Sequence, residues 1–251
     1  MSATTEVKLT VDRCRATIVF SSENGVNVMS SAAMEKLAEA VEGVRRAGQV
    51  RAAVLRAEGK AFIAGADIKE MRGFDRETAR KFSARGNEVM DALAGLPCIT
   101  VAALNGAAMG GGCEIALACD FRIAAAKVKI GLPETSLGLI PGWGGTKRAL
   151  QLLGPARGRH LIFSATPLSA EQAATIGLVD EVVADGTDLE RAVDGWIKWF
   201  ERGGPRAIGL AKRALLTGDE AGCFAECFAG EESTEGMAAF VEKRAARWME
   251  S

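Results

Sequence analysis

The chain has 251 residues, 48% of them hydrophobic, and carries 31 Lys plus Arg against 32 Asp plus Glu. That length suffices for one substantial core, and the balanced charge gives no general pull toward nucleic acid or an anionic membrane. A single histidine, no tyrosine and six cysteines without a CxxC pair exclude most triad, zinc and disulfide-framework schemes, which leaves acid-base work to carboxylates.

The N-terminal MSATTEVKLTVDR is polar and lacks the apolar run of a secretory signal, and no window offers about 18 uninterrupted apolar residues, so a soluble cytoplasmic chain is expected. KLTV and RATIVF read as paired strands. Ser30 and Ser31 then open AAMEKLAEAVEGVRRAG, an amphipathic helix. RAAVLRAEG is a strand leaving into a glycine-containing loop, AFIAGADIKEM follows, and a second helix is expected from about Asp75 to Leu93. After Pro97, CITVAAL is a strongly apolar strand. GGGCEIALACD is expected as a short helix directly behind it, with FRIAAA and KIG as further extended pieces. From about Gly142 helices dominate: GGTKRALQLLG, PARGRHLIFSA, SAEQAATIG with a Ser169/Gln172 capping box, then long helices from Leu189, Ala207 and Glu220. The pattern is α/β first and helical afterwards.

Ordinary core patterning does not ask for Glu114. It follows three glycines and precedes Ile115, Ala116, Leu117 and Ala118, so a helix burying that surface carries a carboxylate out of water. The glycines would place free backbone N–H groups at the helix N-terminus, a ready site for an oxyanion, although glycines also serve tight packing. NGAAMGGGCE lacks the GxGxxG spacing and GWGGTK reverses the lysine order of a Walker loop, which argues against nucleotide phosphate here. Glu134, in GLPETSLGLIPG, is a second acid just after a strand-like segment; a first-turn glutamate favoured by the helix dipole is its plainer reading. Together, two poorly solvated acids beside free amides suit acid-base chemistry on a carbonyl compound that passes through an enolate. In KAFIAGADIKEM, the loop Ala64, Gly65 and Ala66 offers another outward amide before a helix starting at Asp67. Lys60 and Lys69 either meet substrate phosphates or simply face solvent.

The segments AFIAGADIKEM, NGAAMGGGCEIALACDFRIA, GLPETSLGLIPGWGGTKR, SAEQAATIGLVDEVV and AECFAGEESTEGMAAFVEKR resemble, in this order and spacing, the enoyl-CoA hydratase/isomerase, or crotonase, superfamily over nearly the whole chain. The resemblance implies an α/β, crotonase-like spiral of repeated ββα units with the acyl-CoA site over residues 1–190. It also implies a C-terminal helical trimerisation region over 191–251, with assembly as a homotrimer or a dimer of trimers. The implied substrate is an acyl-CoA thioester, coenzyme A being part of the substrate, with no separate cofactor, no metal, no dedicated nucleic-acid partner and no membrane. The family's two oxyanion amides carry over to Ala66 and Gly111, and its two catalytic glutamates to Glu114 and Glu134. The presence of both acids favours hydration of a 2-enoyl-CoA, with Glu114 chiefly activating water and Glu134 chiefly delivering the α proton. For coenzyme A the resemblance points to the backbone at Ala64 and Ala66, to Asp67, Ile68 and Lys69, and to Phe240 and Lys243 reaching across a subunit boundary.

Two positions depart from the family pattern. Leu132 stands before Pro133-Glu134 where many hydratases have glutamine, and Trp143 in PGWGG, after Gly142, occupies a place that is often small. A bulky indole there would narrow the acyl pocket or stack on an unsaturated or cyclic acyl group, unless it packs elsewhere. Met71 and Met109 either line the acyl channel or fill the core. At this point three readings stand beside one another: a 2-enoyl-CoA hydratase; an isomerase or a hydratase specialised for cyclic, branched or dienoyl thioesters; and a non-catalytic acyl-CoA- or RNA-binding protein.

Overall fold

The computed structural model describes residues 4–249. β1 (Glu6–Asp12) and β2 (Arg15–Ser21) form an antiparallel hairpin, with Glu6 opposite Ser21 and Asp12 opposite Arg15. β2 alternates fully buried Ala16, Ile18 and Phe20 with half-buried neighbours, as a strand with one core face must. α1 (Ser31–Ala47) follows, its first turn closed by Ser30 Oγ, which accepts from the Ala33 N–H.

The chain then repeats one order three times. β3 (Ala52–Ala57) enters a large sheet, β4 (Ala61–Ile63) a small one, and α2 (Ile68–Met71) with α3 (Arg76–Ala94) completes the turn. β5 (Ile99–Leu104), β6 (Ala107–Met109) and α4 (Gly111–Ala118) repeat it. β7 (Phe121–Ala125), β8 (Lys129–Gly131), a 3₁₀ turn over Pro133–Leu137 and α5 (Gly145–Ser164) do so again. β9 (Leu168–Ser169), α6 (Ala170–Thr175) and β10 (Glu181–Val183) finish both sheets, whose orders are β1-β2-β3-β5-β7-β10 and β4-β6-β8-β9. Beyond the hairpin every pairing in the large sheet is parallel, which is the ββα spiral that the motif order led us to expect. β5 is buried at all its positions because helices cover both faces of such a sheet.

The main core fills the space between the sheets and α1, α3 and α4, while a smaller cluster on the outer face sets Leu189 and Val193 against Val54, Val101 and Ile123. Those two residues belong to α7 (Gly186–Phe200), which is followed by α8 (Pro205–Thr217), α9 (Glu220–Cys227) and α10 (Glu231–Glu242). Lys212 ties α8 to the sheet: its Nζ donates to the Cys98 carbonyl at 2.7 Å and to Asp120 Oδ2 at 2.6 Å. No helix among the described residues is long and apolar enough to cross a membrane.

Three local expectations need correction. GGGCEIALACD does not follow CITVAAL directly, because the three-residue β6 intervenes and moves the chain into the second sheet. The segments GGTKRALQLLG and PARGRHLIFSA, by contrast, are two helical pieces as expected, separated within α5 at Gly154, where φ of 75° and the following Pro155 interrupt the backbone ladder. The helix expected from Leu189 begins earlier, at Gly186, capped by Asp185. The long helix expected from Glu220 is two, separated around Gly230. A division at residue 190 falls inside α7, a helix packed on the sheet.

Candidate active site

The first turn of α4 brings its carboxylate inward because Gly111, Gly112, Cys113 and Glu114 are all buried under α3, β4 and α5. Glu114 is 2% exposed, and two backbone amides, Trp143 N at 2.7 Å and Gly145 N at 2.8 Å, donate to its Oε1. Burial pushes its pKa from 4.5 up to about 7, further aided by the negative charge of Glu134, even though both amide bonds favour the anion. Glu134 stands in the first turn of the 3₁₀ segment, with its Oε2 buried and without a hydrogen-bond partner among the described residues. Burial raises its pKa too. Two acids that resist ionisation therefore face one space.

That space is a cavity of about 330 Å³, walled by both glutamates and by apolar side chains that include Ile68, Met71, Phe82 and Trp143. Ala64, Gly65 and Ala66 also line it. Met29 bonds the Gly65 carbonyl through its N–H and the Asp67 N–H through its carbonyl, both at 2.9 Å. Peptide groups of an extended segment point alternately to opposite edges, so the Ala66 N–H is turned away from Met29. Gly111 is the first residue of α4, where no carbonyl lies one turn back to receive its N–H. Both amides belong to residues on the cavity wall.

Trp143 fixes the cavity floor. It is 2% exposed, and its ring lies 5.4 Å from that of Phe82. A Cβ added at Gly86 would come within 2.0 Å of its Cδ1, and one added at Gly111 within 2.1 Å of its Cζ3. The indole is thus slotted between α3 and α4, and Gly111 is a glycine for close packing as well as for its amide.

Of the residues singled out by sequence, Glu114, Glu134, Ala64, Ala66, Gly111, Ile68, Met71, Met109, Gly142 and Trp143 meet at this cavity. Leu132 does not: it is fully buried in the hydrophobic core, because the chain turns only after it, at Pro133. Asp67 caps α2 through its side chain, accepting from Lys69 N at 2.9 Å, and Lys69 is exposed beside it. Phe240, 85% exposed on α10, and Lys243 at the end of that helix lie outside the cavity wall of the single chain. Sequence reading missed Phe74, Phe82 and Ser83, which also line the cavity. Phe82 and Ser83 lie on α3, and their only trace was the periodicity of a helix read as plain scaffold.

The family model described as "Enoyl-CoA hydratase/isomerase" matches residues 15–251. The short-chain-enoyl-CoA hydratase of Clostridium acetobutylicum is 35% identical over 91% of this chain and 92% of its own length. The crotonyl-CoA hydratase of Syntrophomonas wolfei is 36% identical over 93% of this chain and 94% of its own. Among solved structures, that of an enoyl-CoA hydratase from Bacillus anthracis superposes with a TM-score of 0.88 at 33% identity, covering 98% of this chain and 99% of that one.

Proposed function

Since the chain belongs to the enoyl-CoA hydratase/isomerase family, and is an enzyme of the enoyl-CoA hydratase class, we propose how its site adds water to a 2-enoyl-CoA thioester to give the 3-hydroxyacyl-CoA. The observation that supports the proposal is the pairing of buried Glu114 and half-buried Glu134, both with raised pKa, on one apolar cavity whose wall also includes Ala66 and Gly111. A thioester carbonyl lodged between the Ala66 and Gly111 N–H groups is polarised, which draws electrons from the conjugated double bond. Water held by ionised Glu114 gives it a proton as the oxygen bonds to the β carbon, and the electron pair of the double bond moves onto the carbonyl oxygen as an enolate. The amides stabilise that charge. Neutral Glu134 then delivers its proton to the α carbon and the carbonyl re-forms, so one water is added and the pair's single proton has changed acids.

The anion is assigned to Glu114 and the proton to Glu134 on their hydrogen bonding, burial raising the pKa of both. Glu114 Oε1 accepts two N–H bonds, which suit an anion, whereas the unpartnered, buried Glu134 Oε2 suits a neutral acid. The short apolar cavity ending on Trp143 favours small acyl groups. The binding of coenzyme A along Ala64, Asp67, Ile68 and Lys69 also belongs to the proposal, as does a trimeric or hexameric assembly in which Phe240 and Lys243 reach a neighbouring site. Exposed Leu215, Phe240 and Val241 on the C-terminal helices suit such an interface. Coenzyme A arrives with the substrate, the chemistry needs no further cofactor, and the expected compartment is the cytoplasm.

The test follows loss of the conjugated-thioester absorbance of crotonyl-CoA, a longer 2-enoyl-CoA and a cyclic dienoyl-CoA. Wild type should turn over at least the first, and Glu114→Gln and Glu134→Gln should each lower that turnover by about 10²- to 10⁴-fold. Turnover that moves the double bond without taking up water would replace hydration by isomerisation.

A further inference from the structure

The loop that grips Glu114 is itself held from the far side. Gly142 carbonyl accepts from Ser83 Oγ at 2.6 Å and from Asn87 Nδ2 at 2.7 Å, and Asn87 Nδ2 also donates to the Ser83 carbonyl at 2.9 Å. The next carbonyl, Trp143 O, accepts from Arg148 Nη1 at 3.0 Å, and Arg148 is paired to Asp91 at 2.5 Å. Ser83, Asn87 and Asp91 recur every four residues, so they form one stripe on α3. The same loop sends its Trp143 and Gly145 N–H groups to Glu114. This short stretch of backbone is therefore bonded through its carbonyls to α3 and to Arg148 of α5, and through its amides to the carboxylate.

We propose that Asn87, seconded by Ser83, is a positioning residue for hydration: by holding the Gly142 carbonyl it keeps the Trp143 and Gly145 amides aimed at Glu114. The proposal rests on Glu114 being the base that activates water. Asn87 is the cleaner probe of the two, since Ser83 lines the cavity and Asn87 does not. Loosening the loop weakens two bonds that stabilise the Glu114 anion, so the pKa of that carboxyl rises. The other charged groups facing Glu114 are Glu134, from the 3₁₀ turn after β8, and Arg148 from α5. Replacing Asn87 leaves both in place, and the Arg148 link to Asp91 remains.

The experiment is the pH profile of crotonyl-CoA hydration by wild type, Asn87→Ala, Ser83→Ala, Glu114→Gln and the Asn87→Ala/Glu114→Gln double variant, with a melting curve for each. Asn87→Ala should lower kcat about 10- to 100-fold at pH 7 with KM within about twofold, the scale of a misplaced reacting group. Its acidic limb should move up by about half a unit or more, so that activity recovers in part at higher pH. In the Glu114→Gln background the same change should add nothing beyond about twofold, as coupled groups do. Ser83→Ala, which removes one of the two donors to the same carbonyl, should shift the limb in the same direction by less and serves where Asn87→Ala does not fold. An unmoved limb, or an equal loss with and without Glu114, overturns the positioning role while leaving the hydratase mechanism intact. Full turnover by Glu114→Gln overturns the assignment of the base and this proposal with it.

Discussion

Glu114 opens α4 and Asp120 follows its end, both carboxylates turned inward, yet the fold treats them differently. Asp120 Oδ2 collects Lys212 Nζ at 2.6 Å, Thr100 N at 2.7 Å and Thr100 Oγ1 at 2.9 Å, so its charge is met by a cation and by two fixed donors. Glu114 receives two neutral amides, and Arg148, whose charge favours its anion, makes no ion pair with it but is bonded to Asp91. The first arrangement locks a helix onto a sheet. The second holds a carboxylate in place but offsets its charge only in part, which keeps it able to exchange a proton near neutral pH. An acid kept for chemistry is here recognisable by the absence of a direct ion pair.

The most severe way to break this comparison is to make the same isosteric change at both acids. Glu114→Gln, like Glu134→Gln, should reduce hydration of crotonyl-CoA by about 10²- to 10⁴-fold, whereas Asp120→Asn should leave kcat within about threefold. A folded Asp120→Asn as inactive as Glu114→Gln would mean that the two sites do not divide chemistry from structure. Stability should respond in the opposite sense. Lys212→Met strands Asp120 without its cation and should lower the unfolding free energy by about 3 kcal/mol in urea denaturation, with kcat of the remaining folded enzyme unchanged. Equal stability of wild type and variant would remove the anchoring role of the pair.

A smaller effect is expected where the site is packed rather than charged. Gly86→Ala forces a Cβ to within 2.0 Å of the Trp143 ring and should cost about 1–3 kcal/mol of stability. Adding Trp143→Ala frees that space, so the double variant should lose less than the sum of the two single losses and should accept longer 2-enoyl-CoA chains than wild type. Strict additivity in thermal or urea melts, with no change in chain-length preference, would show that the indole does not bound the acyl pocket.

How much of this was legible beforehand depends on how local each signal is. Glu114 among apolar neighbours, the serine at the start of α1 and the capping box of α6 are written in adjacent residues, and they stand where expected. The spiral itself was not readable from periodicity, because β4, β6 and β8 are three residues each and too short to carry a pattern. It came from motif order. Leu132 was singled out by the family pattern, where glutamine is common, but it is buried in the core, just before the 3₁₀ turn that begins at Pro133. The contacts from Ser83 and Asn87 to Gly142 join residues more than fifty positions apart, and no spacing rule could announce them.

The mildest prediction concerns the stability that function withholds. The pKa of Glu114 stands at about 7 in the folded chain against an ordinary 4.5, so between those values the folded state binds the extra proton. Stability from this group is therefore full below pH 4.5 and is lost as pH rises through about 7, by at most about 3 kcal/mol at 1.36 kcal/mol per unit. Glutamine has no charge to bury and keeps an oxygen for the Trp143 and Gly145 amides, though its NH₂ needs a partner. Glu114→Gln should then be more stable than wild type at pH 8 by about 1–2 kcal/mol, with the gap closing toward pH 4.5. Titrating groups that do not interact with Glu114 cancel in the difference, and the repulsion between Glu114 and Glu134 is part of what is measured. Denaturant melts of the pair at several pH values measure it, and a gap that does not change with pH would show that Glu114 ionises like an ordinary surface acid.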